Sequence, residues 1–338
     1  MAISAQVAIG IIGVGGMGGR HARNIHRHVV GAEVAAVSDV DLERVEQIAS
    51  ECGAQVFADP FELIDAAEID AVLIASPDPT HAELTLACLS QKKPVLCEKP
   101  LAVSAVEAAR VVDSELALGR KLVSVGFMRR FDPQHLAVRR AIGSGQLGRP
   151  FLFKGVHRNA EVAPNATTEM VVTNSAVHDI DSARWLMSQE VEEIFVKGVK
   201  IDPATPGEAL DGVVLHLGLT GDCLASLEVS VSVGYGYEVS AEVVSSRGAA
   251  VTAQPAAAVL RSRAVRSLEV AEDWLVRFQE AYLAELNAWV SSLTGASFDG
   301  ASAWDGYLSL LIADAGMASL ASGQPEPVVT PPRPELYT

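Results

Sequence analysis

A glycine-rich turn near the N-terminus constrains the fold more than any other feature of the chain. The residues Gly13-Val14-Gly15-Gly16-Met17-Gly18 fit the pattern GxGxxG, directly after an apolar run and at the start of a helical stretch. Glycines in this pattern allow a tight turn, close approach of the backbone to a pyrophosphate and close helix–strand packing. The helix N-terminus also favours phosphate charge. Together these features predict a dinucleotide-binding strand–turn–helix unit.

An acidic residue stands where a dinucleotide site needs one. Asp39 follows the apolar run AEVAAVS, 21 residues after Gly18. A carboxylate at this spacing binds the adenosine ribose hydroxyls, and it repels a 2′-phosphate. The sequence therefore predicts NAD rather than NADP as the cofactor. The alternative is that Asp39 only caps the helix that follows, but the spacing favours the ribose role.

Strand and helix patterns alternate from Val7 to about Phe127. Beyond the first two strands, apolar runs predict further strands buried on both faces, at 70–76, 94–99 and 122–127. Helical stretches lie between them, at 41–52, 80–92 and 105–118. Such alternation is typical of a doubly wound parallel sheet. We therefore predict an α/β chain whose residues 1–127 form an NAD-binding Rossmann domain.

The pattern changes after Phe127. Strands are predicted in succession, at 151–157, 191–199, 213–219, 224–233 and 236–245. Helices are predicted at 133–142, from Trp274 to about Leu293, and from Trp304 onward. This order predicts a C-terminal α+β domain over residues 128–338, with a largely antiparallel, open-faced sheet. The domain would bind substrate, and its open face would bind a partner, so we expect a homo-oligomer.

Composition excludes several classes of partner. The net charge of −16 argues against a polyanion such as nucleic acid. No apolar run reaches the length of a membrane-spanning helix. The N-terminal residues lack the features of a secretory signal, and the four cysteines are scattered without a CxxC pair. Reduced thiols of this kind predict a cytoplasmic protein.

Three histidines in the helix after the glycine turn, at positions 21, 26 and 28, suggest a metal site at first sight. Metal sites need convergent ligands, and no acidic or cysteine residue stands near these histidines in the sequence. We therefore expect a solvated helix face here and no metal.

A long segment identifies the family by resemblance. The stretch ASPDPTHAELTLACLSQKKPVLCEKPLA at 75–102 resembles the Gfo/Idh/MocA oxidoreductases, which carry Glu-Lys-Pro after the fifth strand of a Rossmann domain. The resemblance covers almost the whole chain. Within the family it is greatest to bacterial inositol 2-dehydrogenases, through motifs at 126–132, 157–162, 167–181, 235–239, 273–278 and 303–307.

The resemblance implies that Lys99 is catalytic and that the Lys99–Pro100 bond is cis. An independent argument concerns position, because Lys99 follows a predicted parallel strand at the sheet edge where α/β folds bind ligands. Partial desolvation there would lower the pKa of a lysine toward a useful range.

The segment NSAVHDID supplies a second group of candidate residues. Asn174 and His178 are four residues apart and would share one face of a helix, with Asp181 supporting the same side. In inositol dehydrogenases the matching positions carry an aspartate and an acid/base histidine. An asparagine still forms hydrogen bonds but supplies no charge to raise the histidine pKa. The change is either tolerated variation or the mark of a different substrate.

Other candidate contacts follow from the resemblance alone. The implied substrate contacts, besides Lys99, Asn174 and His178, are Arg129, His157, Asn159, Tyr237 and Trp274. The implied cofactor contacts, besides the glycine turn and Asp39, are Ser76, Pro77, Thr80, His81, Glu98 and Lys99. The family works without a catalytic metal and commonly forms tetramers.

The sequence thus predicts an NAD-dependent dehydrogenase that oxidises a secondary ring hydroxyl of an inositol-like cyclitol to a ketone. One alternative substrate is a sugar, an aminocyclitol or an aminoglycoside sugar ring in a biosynthetic pathway. A second alternative is a non-catalytic NAD-binding sensor, although the intact Glu98-Lys99-Pro100 and His178 argue against it.

Overall fold

The computed structural model describes residues 6–161, 166–253 and 259–338, and the chain forms two compact units. The first unit contains the described residues up to Phe131 together with Glu280–Leu310 and Pro332–Thr338. The second contains those of Asp132–Gln279 and Leu311–Pro331. The predicted domains are contiguous, whereas both units include a later part of the chain. Residues 1–5 and Val162, which ends the 157–162 motif, lie outside the described residues.

The first unit contains a seven-stranded, mostly parallel sheet. Its strands are β1 (Val7–Ile12), β2 (Ala32–Ser38), β3 (Gln55–Val56), β4 (Ala71–Ile74), β5 (Val95–Glu98), β6 (Val123–Gly126) and β15 (Ala301–Ser302). They lie in the order β15-β6-β5-β4-β1-β2-β3, and only the edge strand β15 runs antiparallel to its neighbour. The predicted Rossmann sheet is therefore confirmed. The short strands β3 and β15 carry too few residues to leave a sequence pattern.

Helices connect these strands. They are α1 (Gly16–His28), α2 (Leu42–Cys52), α3 (Pro60–Asp65), α4 (His81–Ser90) and α5 (Ala105–Leu118). Local sequence sets their ends, as α5 illustrates. Its N-cap Ser104 accepts a hydrogen bond from Glu107 N, and it ends at Gly119 with a φ of 63°.

One apolar core holds the first unit together. Ile9 and Ile11 of β1 pack with Ile25 of α1, all fully buried. A later helix, α10 (Gln279–Leu293), adds Leu286 and Trp289 to the same cluster. Burial of these large side chains explains why a segment far along the chain belongs to this unit.

The second unit contains another seven-stranded sheet. Its strands are β7 (Pro150–Arg158), β8 (Val191–Val199), β9 (Gly212–Leu219), β10 (Cys223–Ser230), β11 (Glu238–Ser245), β12 (Gly248–Val251) and β16 (Glu326–Pro327). They lie in the order β12-β11-β7-β10-β9-β8-β16, and β7 and β10 form the parallel pair. The predicted, largely antiparallel sheet is confirmed. A separate hairpin joins β13 (Val259–Ser262) and β14 (Val265–Leu268).

The helices of the second unit lie around this sheet. They are α6 (Pro133–Gly143), α7 (Thr168–Met170), α8 (Val177–Met187) and α9 (Trp274–Arg277), with α11 (Ala303–Ser322) belonging to both units. A π-helical segment, Val171–Ser175, precedes α8. Side chains alternate across the strands, so Val243 of β11 and Leu227 of β10 are fully buried. On the other face Leu224 of β10 is 60% exposed.

The single helix predicted from Trp274 to Leu293 is two helices. The chain breaks at Phe278, between α9 and α10, although no glycine or proline stands there. Phe278 is fully buried and packs against His135 and Tyr237. Arg277 forms an ion pair with Asp132. These tertiary contacts outweigh the local helix propensity.

Among the residues that the structure describes, no helix is long and apolar enough to cross a membrane.

Candidate active site

The glycine turn leaves no room for other side chains at two of its positions. Gly13 has a φ of +83°, and a Cβ there would lie 2.4 Å from the backbone nitrogen of Ser76. A Cβ at Gly18 would lie 1.7 Å from the Gly13 carbonyl oxygen. At Gly16, the first residue of α1, a Cβ would meet nothing within 4 Å among the described residues. The turn is packed on the sheet side and open above the helix N-terminus, a shape that suits a pyrophosphate.

Asp39 connects the second strand to this turn. One of its carboxylate oxygens accepts a hydrogen bond from Val14 N at 2.7 Å, and the other accepts from Asp41 N at 2.9 Å. The side chain that caps α2 is that of Asp41, which accepts from Arg44 N. The capping alternative for Asp39 is therefore wrong, and its ribose role stays a prediction.

The loop after β4 carries four of the predicted cofactor contacts. Ser76 Oγ and Thr80 Oγ1 are hydrogen-bonded at 2.6 Å, and Thr80 Oγ1 also donates to the Pro77 carbonyl oxygen at 2.8 Å. His81 begins α4 and is 1% exposed, with its two ring nitrogens near the carbonyl oxygens of Ser76 and Pro100. The hydroxyl groups of this loop are therefore already ordered by their neighbours.

Lys99 follows β5 at the carboxyl edge of the parallel sheet, and the Lys99–Pro100 bond is cis, as the resemblance predicts. Burial lowers the pKa of the Lys99 ammonium, although the carboxylates of Glu98 and Asp78 act in the opposite direction. A lysine with a lowered pKa releases and accepts a proton nearer to neutral pH than an exposed lysine does.

The side chain of Glu98 is held by two hydrogen bonds within the first unit, and its predicted cofactor contact stays a prediction. Glu98 Oε1 accepts a hydrogen bond from His21 Nε2 at 2.7 Å, and Oε2 accepts from Lys99 N at 3.3 Å. His21 is 1% exposed, so the predicted solvated face holds for His26 and His28 but is wrong for His21. Within the described part of the chain, no group of three or more His, Cys, Asp or Glu side chains could hold a metal ion.

The second unit brings a set of histidine and tyrosine side chains together. His157 of β7 and His178 of α8 are both buried, with ring centroids 6.3 Å apart. The Tyr237 hydroxyl lies 3.5 Å from His157 Nε2. A ligand hydroxyl beside this cluster would meet several hydrogen-bonding groups.

Asp179 completes this cluster, and the sequence argument missed it. Its Oδ2 accepts a hydrogen bond from His157 Nδ1 at 3.0 Å, and the residue is 1% exposed. Helix α8 packs against β7 beside Gly155, where a Cβ would lie in ordinary contact distance, 3.5 Å, of Asp179 Oδ1. The feature of the sequence that could have indicated Asp179 is its position directly after His178. The partner, 22 residues away, could not be inferred from spacing.

The remaining predicted contacts are divided between the units. Asn174 lies in the π-helical segment and not in α8, so its spacing to His178 is not that of an α-helix. Such segments occur often at functional sites. Arg129 is buried in a short 3-10 helix of the first unit. Asn159 and Trp274 lie in the second unit, just after β7 and at the start of α9.

Comparison with known proteins identifies relatives of the whole chain. A family model described as "Oxidoreductase family, NAD-binding Rossmann fold" matches residues 7–127, and the GFO/IDH/MocA C-terminal domain matches residues 135–251. An inositol 2-dehydrogenase of Rubrobacter xylanophilus is 49% identical, over 99% of this chain and 96% of its own.

The chain belongs to the Gfo/Idh/MocA oxidoreductase family. Two further proteins are also similar over nearly their full lengths. Inositol 2-dehydrogenase 2 of Saccharopolyspora erythraea is 44% identical, over 97% of each chain. The crystal structure of a Lactobacillus casei myo-inositol dehydrogenase in complex with NAD(H) and myo-inositol has a TM-score of 0.94 at 31% identity, covering 98% of this chain and 100% of that one.

Proposed function

We propose that this enzyme oxidises a secondary ring hydroxyl of an inositol-like cyclitol to a ketone, with NAD as the hydride acceptor. The full-length similarity to inositol 2-dehydrogenases supports this function. The observation that carries it is the buried cluster of His157, His178 and Tyr237 with Asp179, because it presents several hydrogen-bonding groups to a ligand with many hydroxyls.

The residues of the first unit fit NAD. The turn at 13–18 has no room for a Cβ at Gly13 or Gly18 and is open at Gly16, which suits the pyrophosphate. Asp39 would hold the adenosine ribose, and Ser76, Pro77 and Thr80 would line the path toward the nicotinamide. When bound, NAD supplies the acceptor carbon for the hydride.

We assign proton removal from the substrate hydroxyl to Lys99. Burial lowers the pKa of its ammonium, so a larger fraction of Lys99 is neutral and able to accept a proton than in an exposed lysine. His178 would hydrogen-bond the developing oxyanion and orient the ring. Asn174 would contribute a neutral hydrogen bond where the related enzymes carry an aspartate.

A second candidate substrate class is an amino-substituted ring, such as an aminocyclitol or an aminoglycoside sugar. Two observations favour it. By the resemblance, Asn174 stands where the inositol enzymes carry an aspartate, and Glu161 and Glu169, in the same unit, are exposed and available to attract an ammonium group.

The experiment is to follow NADH absorbance with a substrate panel, using wild type and Asn174→Asp. The panel contains myo-inositol, scyllo-inositol, glucose, xylose and amino-substituted cyclitols and glycosides. Turnover of myo-inositol by wild type supports the cyclitol assignment. Turnover of amino-substituted rings alone supports the second candidate. If the protein binds NAD but turns over no compound of the panel, both substrate assignments are contradicted and a non-catalytic NAD-binding sensor is favoured.

The open face of the second sheet supports a homotetramer, which we also propose. Leu224, Phe151 and Val214 expose apolar surface, at 60%, 40% and 37% respectively. Light scattering coupled to gel filtration tests this state, and Leu224→Glu should dissociate the assembly. We further propose a cytoplasmic location, which the four free, buried cysteines support.

A further inference from the structure

His81 is a buried histidine whose surroundings do not match a ligand contact. It is the first residue of α4 and is 1% exposed. Its Nδ1 lies 2.6 Å from the Pro100 carbonyl oxygen, and its Nε2 lies 2.8 Å from the Ser76 carbonyl oxygen. The Nε2 distance is that of an ordinary N–H···O hydrogen bond, and the Nδ1 distance is slightly shorter than the ordinary range.

The two carbonyl partners indicate the protonation state of the His81 ring. A backbone carbonyl oxygen accepts hydrogen bonds and never donates one. A neutral imidazole has a single N–H, so one of its nitrogens would direct a lone pair at a carbonyl oxygen. Two N–H groups satisfy both contacts, and an imidazole with two N–H groups is a cation.

The two carbonyls belong to loops that carry candidate active-site residues. Ser76 begins the loop whose hydroxyl groups, with Thr80, are predicted to meet the cofactor. Pro100 directly follows Lys99. His81 therefore joins the loop after β4 to the turn after β5, at the carboxyl edge of the parallel sheet.

We infer that His81 is a positioning residue that stays doubly protonated through the working pH range and, as a cation, ties the Ser76 loop to the Lys99–Pro100 turn. This inference rests on the proposed function only where it concerns the placement of Lys99. The protonation state itself is independent of any substrate.

The titratable neighbour of His81 is Cys97 on β5. Burial alone would lower the pKa of His81, but Cys97 and the carbonyl oxygens of Pro100 and Ser76 raise it to about 10. An unperturbed histidine, with a pKa near 6.5, would be only about 3% protonated at pH 8. A doubly protonated His81 and an ordinary histidine are therefore distinguished most clearly in mildly alkaline solution.

The first experiment observes the ring nitrogens directly. Long-range proton–nitrogen correlation spectra of histidine-labelled protein distinguish two protonated nitrogens from one protonated and one bare nitrogen. Nuclear Overhauser contacts to Ser76 and Pro100 assign His81 among the eight histidines without any variant. We expect two protonated nitrogens at pH 8. A neutral ring at pH 8, or titration near 6.5, would overturn the inference whatever the enzyme turns over.

The second experiment measures the consequence for catalysis. His81→Gln keeps one donor and should lower kcat by roughly 10- to 100-fold, because small misplacement of a reacting group has effects of this size. His28→Gln, at an exposed position at the end of α1, is the matched control and should leave kcat unchanged. His81→Asn is the second variant if the first does not fold. An unchanged kcat in a folded variant at position 81 contradicts the positioning role.

Discussion

The two units assemble their candidate residues in different ways. In the first unit these residues follow the ends of parallel strands, and backbone groups hold the key side chains, as Val14 N and Asp41 N hold Asp39. In the second unit they come from a strand, a π-helical segment, two helices and residues next to two of the strands, between His157 and Trp274. Side chains hold one another there, as Asp179 holds His157.

Because of this difference, a substitution in the first unit removes a hydrogen bond to the backbone, whereas one in the second unit removes a buried side-chain partner. A backbone donor that loses one acceptor at a half-exposed turn can bind water instead. A buried carboxylate that loses its imidazole partner stays desolvated, and such losses are large. We therefore expect the second unit to couple activity to stability more strongly than the first. The predictions below test this contrast.

The largest expected effect is at Lys99 in the first unit. Lys99→Met should lower kcat by roughly 100- to 10,000-fold, the range for loss of a general base. Since burial lowers the pKa of Lys99, kcat/KM of wild type should rise with pH through a pKa below 10.5. This rise should vanish in the variant. Steady-state kinetics as a function of pH checks both statements.

Binding and stability measurements separate catalysis from folding in this variant. Calorimetric NAD affinity and the thermal midpoint should change little, because the turn and Asp39 remain intact. A large loss of NAD affinity together with kcat would contradict the assignment of Lys99 to proton transfer.

A substitution of Asp179 in the second unit should lower both activity and stability. Asp179→Asn should lower kcat/KM for the polyol by about 10- to 100-fold, since a hydrogen bond to a charged group is typically worth about 1.5–3 kcal/mol. It should also lower the thermal midpoint. The KM for NAD should stay the same, because the Asp179–His157 pair lies in the other unit.

A double-mutant cycle with His157→Gln tests whether this pair is the cause. If the pair carries the effect, the double variant should lose little more than either single variant. Fully additive losses in activity and stability would show that Asp179 acts without His157.

Asp39 should affect cofactor binding and little else. Asp39→Ala should raise the KM for NAD about 10-fold and reduce discrimination against NADP, because a ribose acceptor and a repelling charge are both lost. Asp41→Ala is the matched control, since Asp41 caps α2 two residues later. The control should lose about 1 kcal/mol of stability without a change in cofactor preference. Equal kinetic effects in both variants would contradict the ribose role of Asp39.

The sequence predicted the first unit better than the second for the same structural reason. Parallel strands bring their carboxyl ends to one edge, so the glycine turn, Asp39 and the strand-end position of Lys99 could be placed from the pattern. The catalytic role of Lys99 was predicted mainly from the family resemblance. The pairing of Asp179 with His157 depends on the packing of α8 against β7, which no local spacing encodes. The break at Phe278 likewise depends on its burial against His135 and Tyr237.

The sequence also could not predict which unit the later helices of the chain join. Helix α10 joins the core of the first unit because Leu286 and Trp289 pack with β1 and α1. Its pattern shows only that it is buried, not which sheet it covers. For the same reason, its one buried acid could not be recognised as part of the Rossmann unit.

Substitution of that acid, Glu285, has the smallest predicted effect. Its pKa shift is opposite to that of a buried acid in the second unit. Glu285 is fully buried in the first unit; burial raises its pKa well above the usual value, and the charge of Glu98 adds to this. In the second unit, burial alone would raise the pKa of Asp132, but hydrogen bonds from His135 and Arg277 hold it well below its usual range. Burial therefore favours the neutral form of Glu285, whereas hydrogen bonds from cationic partners favour the charged form of Asp132.

Opposite pH dependences follow for the two acids. As pH rises above 4.5, the unfolded chain releases the Glu285 proton while the folded chain keeps it, so this group lowers stability increasingly with pH. Glu285→Gln should therefore raise the thermal midpoint by a few degrees at pH 8 and hardly at all at pH 5. Asp132→Asn should lower it at both values, because its stabilisation is lost only as pH falls below the usual aspartate pKa. Scanning calorimetry of both variants at the two pH values is the measurement. A glutamine variant destabilised equally at pH 5 and pH 8 would mean that Glu285 is charged when folded, so that the first unit, like the second, depends on a buried ion.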